Sequence, residues 1–333
     1  MLRLKICYSL TVNYYCKGVA TSMRMADAGK ESIKPTQVLP FRELQHIVFQ
    51  TIKTGIIKSN LIAMFAGLCV ALYINDVRFF DRIGDILLAT VGSALVIGAA
   101  GAFNNVYDRD IDFIMERTRS RPTVTGQIKT KSALLLGCGM AASGLLALGL
   151  ASPLAALFGL LGLFIYVVPY TMWTKRRTIY NTEVGSFSGA MPPLIGWAAI
   201  SPEIAQPGAL ALFVIMLLWQ MPHFYAIAIR RHDEYKAANV PMLPVVKGMR
   251  RTYVQTNVYL VLLVASSFLL VPVSPFLAGV AFLLSAAWLV LSVAGYRKMD
   301  AAKWAKLMFI YSLNHLTVLF VLIIAYCLIR PLF

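Results

Sequence analysis

Long apolar blocks alternate along the chain with short polar and charged segments. A hydrocarbon core of roughly 30 Å takes about 20 helical residues to cross, so each block predicts one spanning helix. Nine spans are expected, over about 57–75, 85–104, 132–150, 153–171, 184–201, 208–229, 253–271, 275–295 and 308–330. The predicted fold is all-α, a polytopic membrane protein of nine transmembrane helices, with an N-terminal tail (1–54) ahead of one membrane domain (55–333).

Composition agrees. The 333 residues are 59% hydrophobic and 14% charged, which excludes a water-soluble globule, where about 25% would be charged. A net charge of +16 would suggest nucleic acid if spread over a surface, but the basic residues sit between the spans and read first as topology signals. Alternate connections, 1–58, 105–131, 172–183, 230–252 and 296–306, hold 28 of the 31 Lys and Arg residues, and the other side has only Arg78, Arg82 and Arg330. The positive-inside rule then places the N-terminus and the four longer connections in the cytoplasm or mitochondrial matrix, with the C-terminus outside. No nucleic-acid partner is implied.

The opposite connections are nearly absent, with 150–153, 201–207 and 272–274 turn-sized, so chemistry is expected on the charged face. Pro169, Pro192, Pro193 and Pro222 fall in or beside spans, where each removes a backbone hydrogen bond and can open a helix toward a cavity. The five cysteines show no ligand or disulfide spacing. Residues 1–25 carry four basic residues and no acid, which suits an organellar transit peptide, a plain cytosolic tail, or an upstream start ahead of Met23 or Met25.

After the second span come Asn104, Asp108, Asp112 and Glu116, at four-residue steps that share one helical face. Carboxylates gathered at a membrane-embedded helix end call for a compensating cation. Mg²⁺ suits them, because it accepts one or two carboxylates and completes its shell with water and phosphate oxygens. An EF-hand is excluded, since Phe113 stands where the turn glycine belongs and Arg119 where the bidentate glutamate belongs. A solvated helix end paired with Arg109, Arg117, Arg119 and Arg121 explains the same spacing without a ligand. Those arginines also suit a diphosphate, as do Lys175, Arg176 and Arg177 and the pair Arg230 and Arg231.

The runs NNVYDRDIDFIMERTRSRP, YTMWTKRRTIYN, GAMPPLIGWAA and WQMPHFYAIAIRRHDEYKAANVPMLPVV, in this order on one predicted face, resemble the haem O synthase branch of the intramembrane aromatic prenyltransferases from about Gly55 onward. The resemblance implies nine helices around a central cavity, Mg²⁺ as cofactor, farnesyl diphosphate as donor and haem B as acceptor, giving haem O for terminal oxidases. By position, Asn104, Asp108 and Asp112 match the motif that holds Mg²⁺ and diphosphate, and Arg117 and Arg121 match basic residues that follow it. Tyr170 opens the Tyr-x4-Lys-Arg segment whose Lys175 and Arg176 are expected on the diphosphate. The second acidic motif of the wider superfamily is incomplete: Ile229 takes its first acidic position and Asp233 its second, leaving His223 and Tyr225 for the porphyrin.

The substrates dictate the chemistry. Ionising an allylic diphosphate needs preorganised positive charge at the leaving group. A haem vinyl then attacks through its terminal carbon, water captures the resulting cation, and an apolar cavity shields the intermediate. His223 can ligate iron or serve as an ordinary hydrogen-bonded residue. His315 reads as a buried polar contact, and His46 and His232 as peripheral. Tyr170, Trp173, Trp197 and Trp219 are candidates for the isoprenoid wall or an interfacial belt, and 239–246 for an ordered loop over the mouth.

Three other functions fit in part. They are a related prenyltransferase with another aromatic acceptor, a secondary transporter, and a non-catalytic haem chaperone. A transporter would place ionisable groups at the midplane and gates on both sides, which the sequence lacks. Expected partners are the lipid bilayer and, by the resemblance, haem A synthase or terminal oxidase assembly factors. The expected location is a bacterial plasma membrane, with the mitochondrial inner membrane as the alternative.

Overall fold

The computed structural model describes residues 40–329. The chain divides into two compact units, 1–45 and 46–333. Of the first, only the stretch from Pro40 is described, so the expectations for residues 1–25, most of the tail, and Arg330 lie outside the described residues.

Every regular element among the described residues is helical. Helix α1 (Phe41–Thr51) is followed by α2 (Thr54–Ile74), α3 (Ile83–Tyr107), the short α4 (Arg109–Ile114) and α5 (Pro122–Thr125), then α6 (Thr130–Ala151) and α7 (Pro153–Ile165). After these come α8 (Asn181–Gly189), α9 (Met191–Ala198), α10 (Pro207–Arg230), α11 (His232–Ala237), α12 (Leu243–Ser266), α13 (Pro275–Tyr296) and α14 (Ala301–Ile329). Among the described residues, eight helices are long and apolar enough to cross a membrane. The fifth of the nine expected spans, 184–201, is built from two short helices, α8 and α9, meeting at Ala190.

Local chemistry explains several boundaries. The turn-sized connections at 152 and 274 use the same device, a serine that accepts the N–H of the residue three positions on (3.5 Å from Ala155 and from Leu277), followed by proline at the first helical position. Pro169 has no N–H to give, and the end of α7 widens into a π-helix over Tyr166–Trp173. Thr174 Oγ1 donates to the Pro169 carbonyl at 2.7 Å. Gly248 (φ 75°, ψ 174°) breaks α12 near its start, so Leu243 to Lys247 form a separate turn over the charged face.

Helix α9 is wholly buried from Met191 to Ala198 and crosses α2 at backbone contact. A Cβ on Gly196 would lie 1.9 Å from the Met64 carbonyl oxygen, and one on Gly67 would lie 2.0 Å from that of Pro193. Gln220 Nε2 donates to Ser186 O at 3.0 Å and Met216 O at 2.9 Å, tying α8 to α10 beside the break. On the charged face, Ile111 and Met115 pack with Ala228, Ala238, Val240 and Met242, so the connections after α3 and after α10 share one small core. The segment 239–246 is thus ordered by its own apolar residues.

Candidate functional site

Asp108 interrupts the helix after Tyr107, yet the stepped face survives the break. Asp108 N donates to Asn104 O at 2.9 Å and Asp112 N to Asp108 O at 2.8 Å, so the four-residue stagger carries through α4. Asn104, Asp108 and Asp112 are all buried. Glu116 leaves this face: its side chain is mostly exposed and lies 3.8 Å from Arg119.

Three cations pair with the three aspartates of the motif, and a fourth, Lys53, reaches Asn104. Lys175 is paired with Asp108 Oδ2, and Arg176 lies 3.6 Å from Asp108 Oδ1 while its fork grips both oxygens of Asp110 at 2.7 Å. Arg121 Nη1 stands 2.5 Å from Asp112 Oδ2. Lys53 donates to Asn104 Oδ1, while Asn104 Nδ2 donates to Asp108 Oδ2 (2.8 Å) and Thr171 Oγ1 (2.9 Å). Lys175, Arg176 and Arg121 balance the charge of the three carboxylates, and Lys53 adds a fourth basic nitrogen through Asn104. The Arg176 guanidinium holds the Asp110 carboxyl down at about 2. Burial, reinforced by Arg121 and Lys175, pushes the Lys53 ammonium well below the usual lysine range.

The other expected residues divide. Tyr170 sits on the π-helix with its ring 5.4 Å from that of Tyr166 and against Gly185. Arg117 has an exposed side chain and meets Glu234 through its backbone N–H at 3.5 Å. Asp233 is fully exposed and pairs with His232 at 2.9 Å, so the structure does not bring it to the acidic cluster. Tyr225 is buried and donates to Glu183 Oε1 at 2.6 Å, an oxygen that also accepts from Gln255 Nε2 at 2.7 Å. His223 lies between the rings of Trp219 and Phe309, with Nδ1 2.7 Å from Ser312 Oγ. His315 is a buried polar contact, 3.0 Å from Ser285. Trp197 belongs to the core, and Trp173 is exposed.

Sequence reasoning missed Lys53, Thr171, Glu183, Gln255 and Ser312. Lys53 is one of eight basic residues ahead of the first span, and nothing local marks it. It adopts a left-handed backbone (φ 56°, ψ 57°) at the start of α2, a conformation that costs a non-glycine residue about 1 kcal/mol. An open cleft of about 730 Å³ borders the cluster, lined by Tyr107, Arg109, Asp110, Phe113, Ile114, Val124 and Arg176.

Among the described residues no three His, Cys, Asp or Glu side chains group to hold a metal. The set on hand is two carboxylates and an amide, and it fits a hard cation that keeps most of its shell for water and phosphate. Asp108 Oδ1, buried with no hydrogen-bond partner, is the oxygen left for such an ion.

The chain is 60% identical over 311 residues to a protein named protoheme IX farnesyltransferase from Shouchella clausii, covering 93% of this chain and all of that one. It is 63% identical over 292 residues to protoheme IX farnesyltransferase 1 of Bacillus cytotoxicus, covering 88% and 96%. Among solved structures, one of digeranylgeranylglyceryl phosphate synthase matches with a TM-score of 0.69 at 16% identity, covering 86% of this chain and 99% of that one. A UbiA homologue from Archaeoglobus fulgidus bound to GPP and Mg²⁺ matches at 0.57 and 12% identity, covering 84% and 99%. The UbiA prenyltransferase family matches residues 60–313, and with that span, those relatives and this all-helical architecture, the chain belongs to the UbiA prenyltransferase family.

Proposed function

We propose that this multi-pass membrane protein transfers the farnesyl group of farnesyl diphosphate to a vinyl group of haem B and adds water, making haem O. The observation that carries the reading is the buried cluster in which Asp108 meets Lys175 and Arg176 and keeps one carboxylate oxygen that accepts no hydrogen bond. It supports recognition of a polyanion with a divalent cation at the head of an apolar bundle. The near full-length identity to protoheme IX farnesyltransferases supports the choice of donor and acceptor.

Asn104, Asp108 and Asp112 would hold Mg²⁺, which when bound would supply positive charge to the diphosphate. Lys53, Lys175 and Arg121, now partnered with those three side chains, turn to phosphate oxygens, with Arg176 kept in place by Asp110 and Arg117 at the rim. The bond from the allylic carbon to diphosphate oxygen breaks, its electron pair leaving with the diphosphate. The vinyl π pair then forms the new carbon–carbon bond. Water adds to the cation left beside the porphyrin ring and gives up a proton. Tyr170 lies next to the diphosphate residues and lines the start of the isoprenoid path, while His223 and Tyr225 serve the acceptor. Asp233, expected on the substrate, lies exposed and paired with His232. The compartment is a bacterial plasma membrane with the N-terminus cytoplasmic.

Incubating purified protein with haem B, farnesyl diphosphate and Mg²⁺ should yield haem O by mass. Chelation by EDTA should stop the reaction and added Mg²⁺ restore it. Absence of farnesylated haem with all three present would refute the assignment.

A further inference from the structure

His223 is held in one orientation by contacts on three sides. Its ring stacks on Trp219 (centroids 4.7 Å apart, 19° between planes) and on Phe309 (5.2 Å, 29°). On the ring edge, Ser312 Oγ lies 2.7 Å from Nδ1. Ser312 Oγ also lies 2.6 Å from the Phe309 carbonyl, which can only accept, so a hydroxyl that gives its single hydrogen there is left to accept from Nδ1, and Nε2 keeps its lone pair. This is the tautomer that binds iron, held by the kind of outer hydrogen bond that orients metal-ligating histidines. Among the described residues Nε2 has no hydrogen-bond partner.

Arg230 follows seven residues later on the same helix. Seven residues advance an α-helix by about 10.5 Å and return it to within about 20° of the same face. The Arg230 guanidinium sits 4.9 Å over Phe309, the ring that also stacks on His223. Arg230 is exposed and has no carboxylate partner among the described residues, whereas its neighbour Arg231 is taken by Glu234 at 2.7 Å. A neutral imidazole inside the bundle and a free guanidinium above it at the charged face match a porphyrin's centre and its propionate edge.

We infer that haem B stands upright against α10, its iron on Nε2 of His223 and a propionate on Arg230, with Ser312 as the residue that positions the imidazole. This rests on haem B being the acceptor, and it goes further by fixing which atoms hold it and which edge faces the charged surface. The propionate edge is then paired bidentately with a guanidinium fork.

The test is haem B titration of the purified full chain, read by absorption and electron paramagnetic resonance. Wild type should show an imidazole-ligated iron. His223→Ala should lose that signature and regain it on adding free imidazole, with farnesyl diphosphate binding unchanged. Ser312→Ala, which removes one hydroxyl, should still bind haem but with an altered axial-ligand signature. Arg230→Gln should weaken haem B binding about tenfold, the value of one charge-assisted hydrogen bond, and leave binding of haem dimethyl ester unchanged. An unchanged signature in His223→Ala or Ser312→Ala, or equal losses for haem B and its ester in Arg230→Gln, would overturn the arrangement. Formation of haem O by wild type, scored by mass alongside, is a separate readout, so this geometry can fail while the proposed reaction stands.

Discussion

Asn104 Nδ2 donates to Asp108 Oδ2 at 2.8 Å, one helical turn ahead, while its own carbonyl oxygen accepts from Lys53 fifty-one residues earlier. One amide thus links the acidic step to the first membrane helix. Lys53 reaches this amide from a left-handed backbone position at the start of that helix.

Asp108 is the carboxylate with most at stake. Asp108→Asn keeps the shape but removes the charge that balances Lys175 and Arg176. Farnesyl transfer should fall about a hundredfold or more, the scale of losing one preorganised electrostatic group. The protein should still extract as a folded monodisperse species. Rates near wild type would remove Asp108 from the site.

Lys53→Gln should raise KM for farnesyl diphosphate about tenfold, as expected on losing one charged contact to phosphate. Because Lys53 is half-buried against Asn104, thermal stability is to be measured alongside. A pure stability loss with unchanged KM would make Lys53 structural.

Tyr225 and Glu183 form a buried pair with Gln255. Tyr225→Phe should cost about 1–3 kcal/mol, because a buried acceptor loses a donor. Combined with Glu183→Gln the cost should be less than the sum of the two single changes. Additive losses in thermal unfolding would show that the pair is not coupled.

Gly196→Ala places a methyl 1.9 Å from the Met64 carbonyl, where only backbone movement can relieve it. Destabilisation of about 1–3 kcal/mol or more is expected from such overpacking. A neutral melting temperature would mean that α2 and α9 are less closely packed than described.

Asp110 supplies a pH test. Its folded pKa of about 2 lies below the unfolded value of about 3.9, so its stabilisation is present above pH 4 and lost as pH falls through 2. The side chain is 66% exposed, which limits the pair to under about 1 kcal/mol. The stability gap between wild type and Asp110→Asn should be flat from pH 5 to 8 and shrink below 4. A gap that varies across neutral pH would point to another titrating group.

The residues alone determined the membrane class, eight of the spans to within a few residues at most ends, and the acidic stagger from Asn104 to Asp112. These are readable because apolar length and four-residue spacing are local properties of a helix. The resemblance, likewise carried by short runs of sequence, pointed to Lys175 and Arg121. Only the tertiary structure decided that Glu116 leaves the stepped face, that Arg117 and Asp233 are exposed, and that Lys53 closes on Asn104. Each depends on partners tens of residues distant, or on a backbone conformation that lysine seldom adopts. Ser312 shows the limit most plainly: nothing around it in the chain announces that its oxygen meets a histidine on another helix, because that meeting is set by how two helices pack.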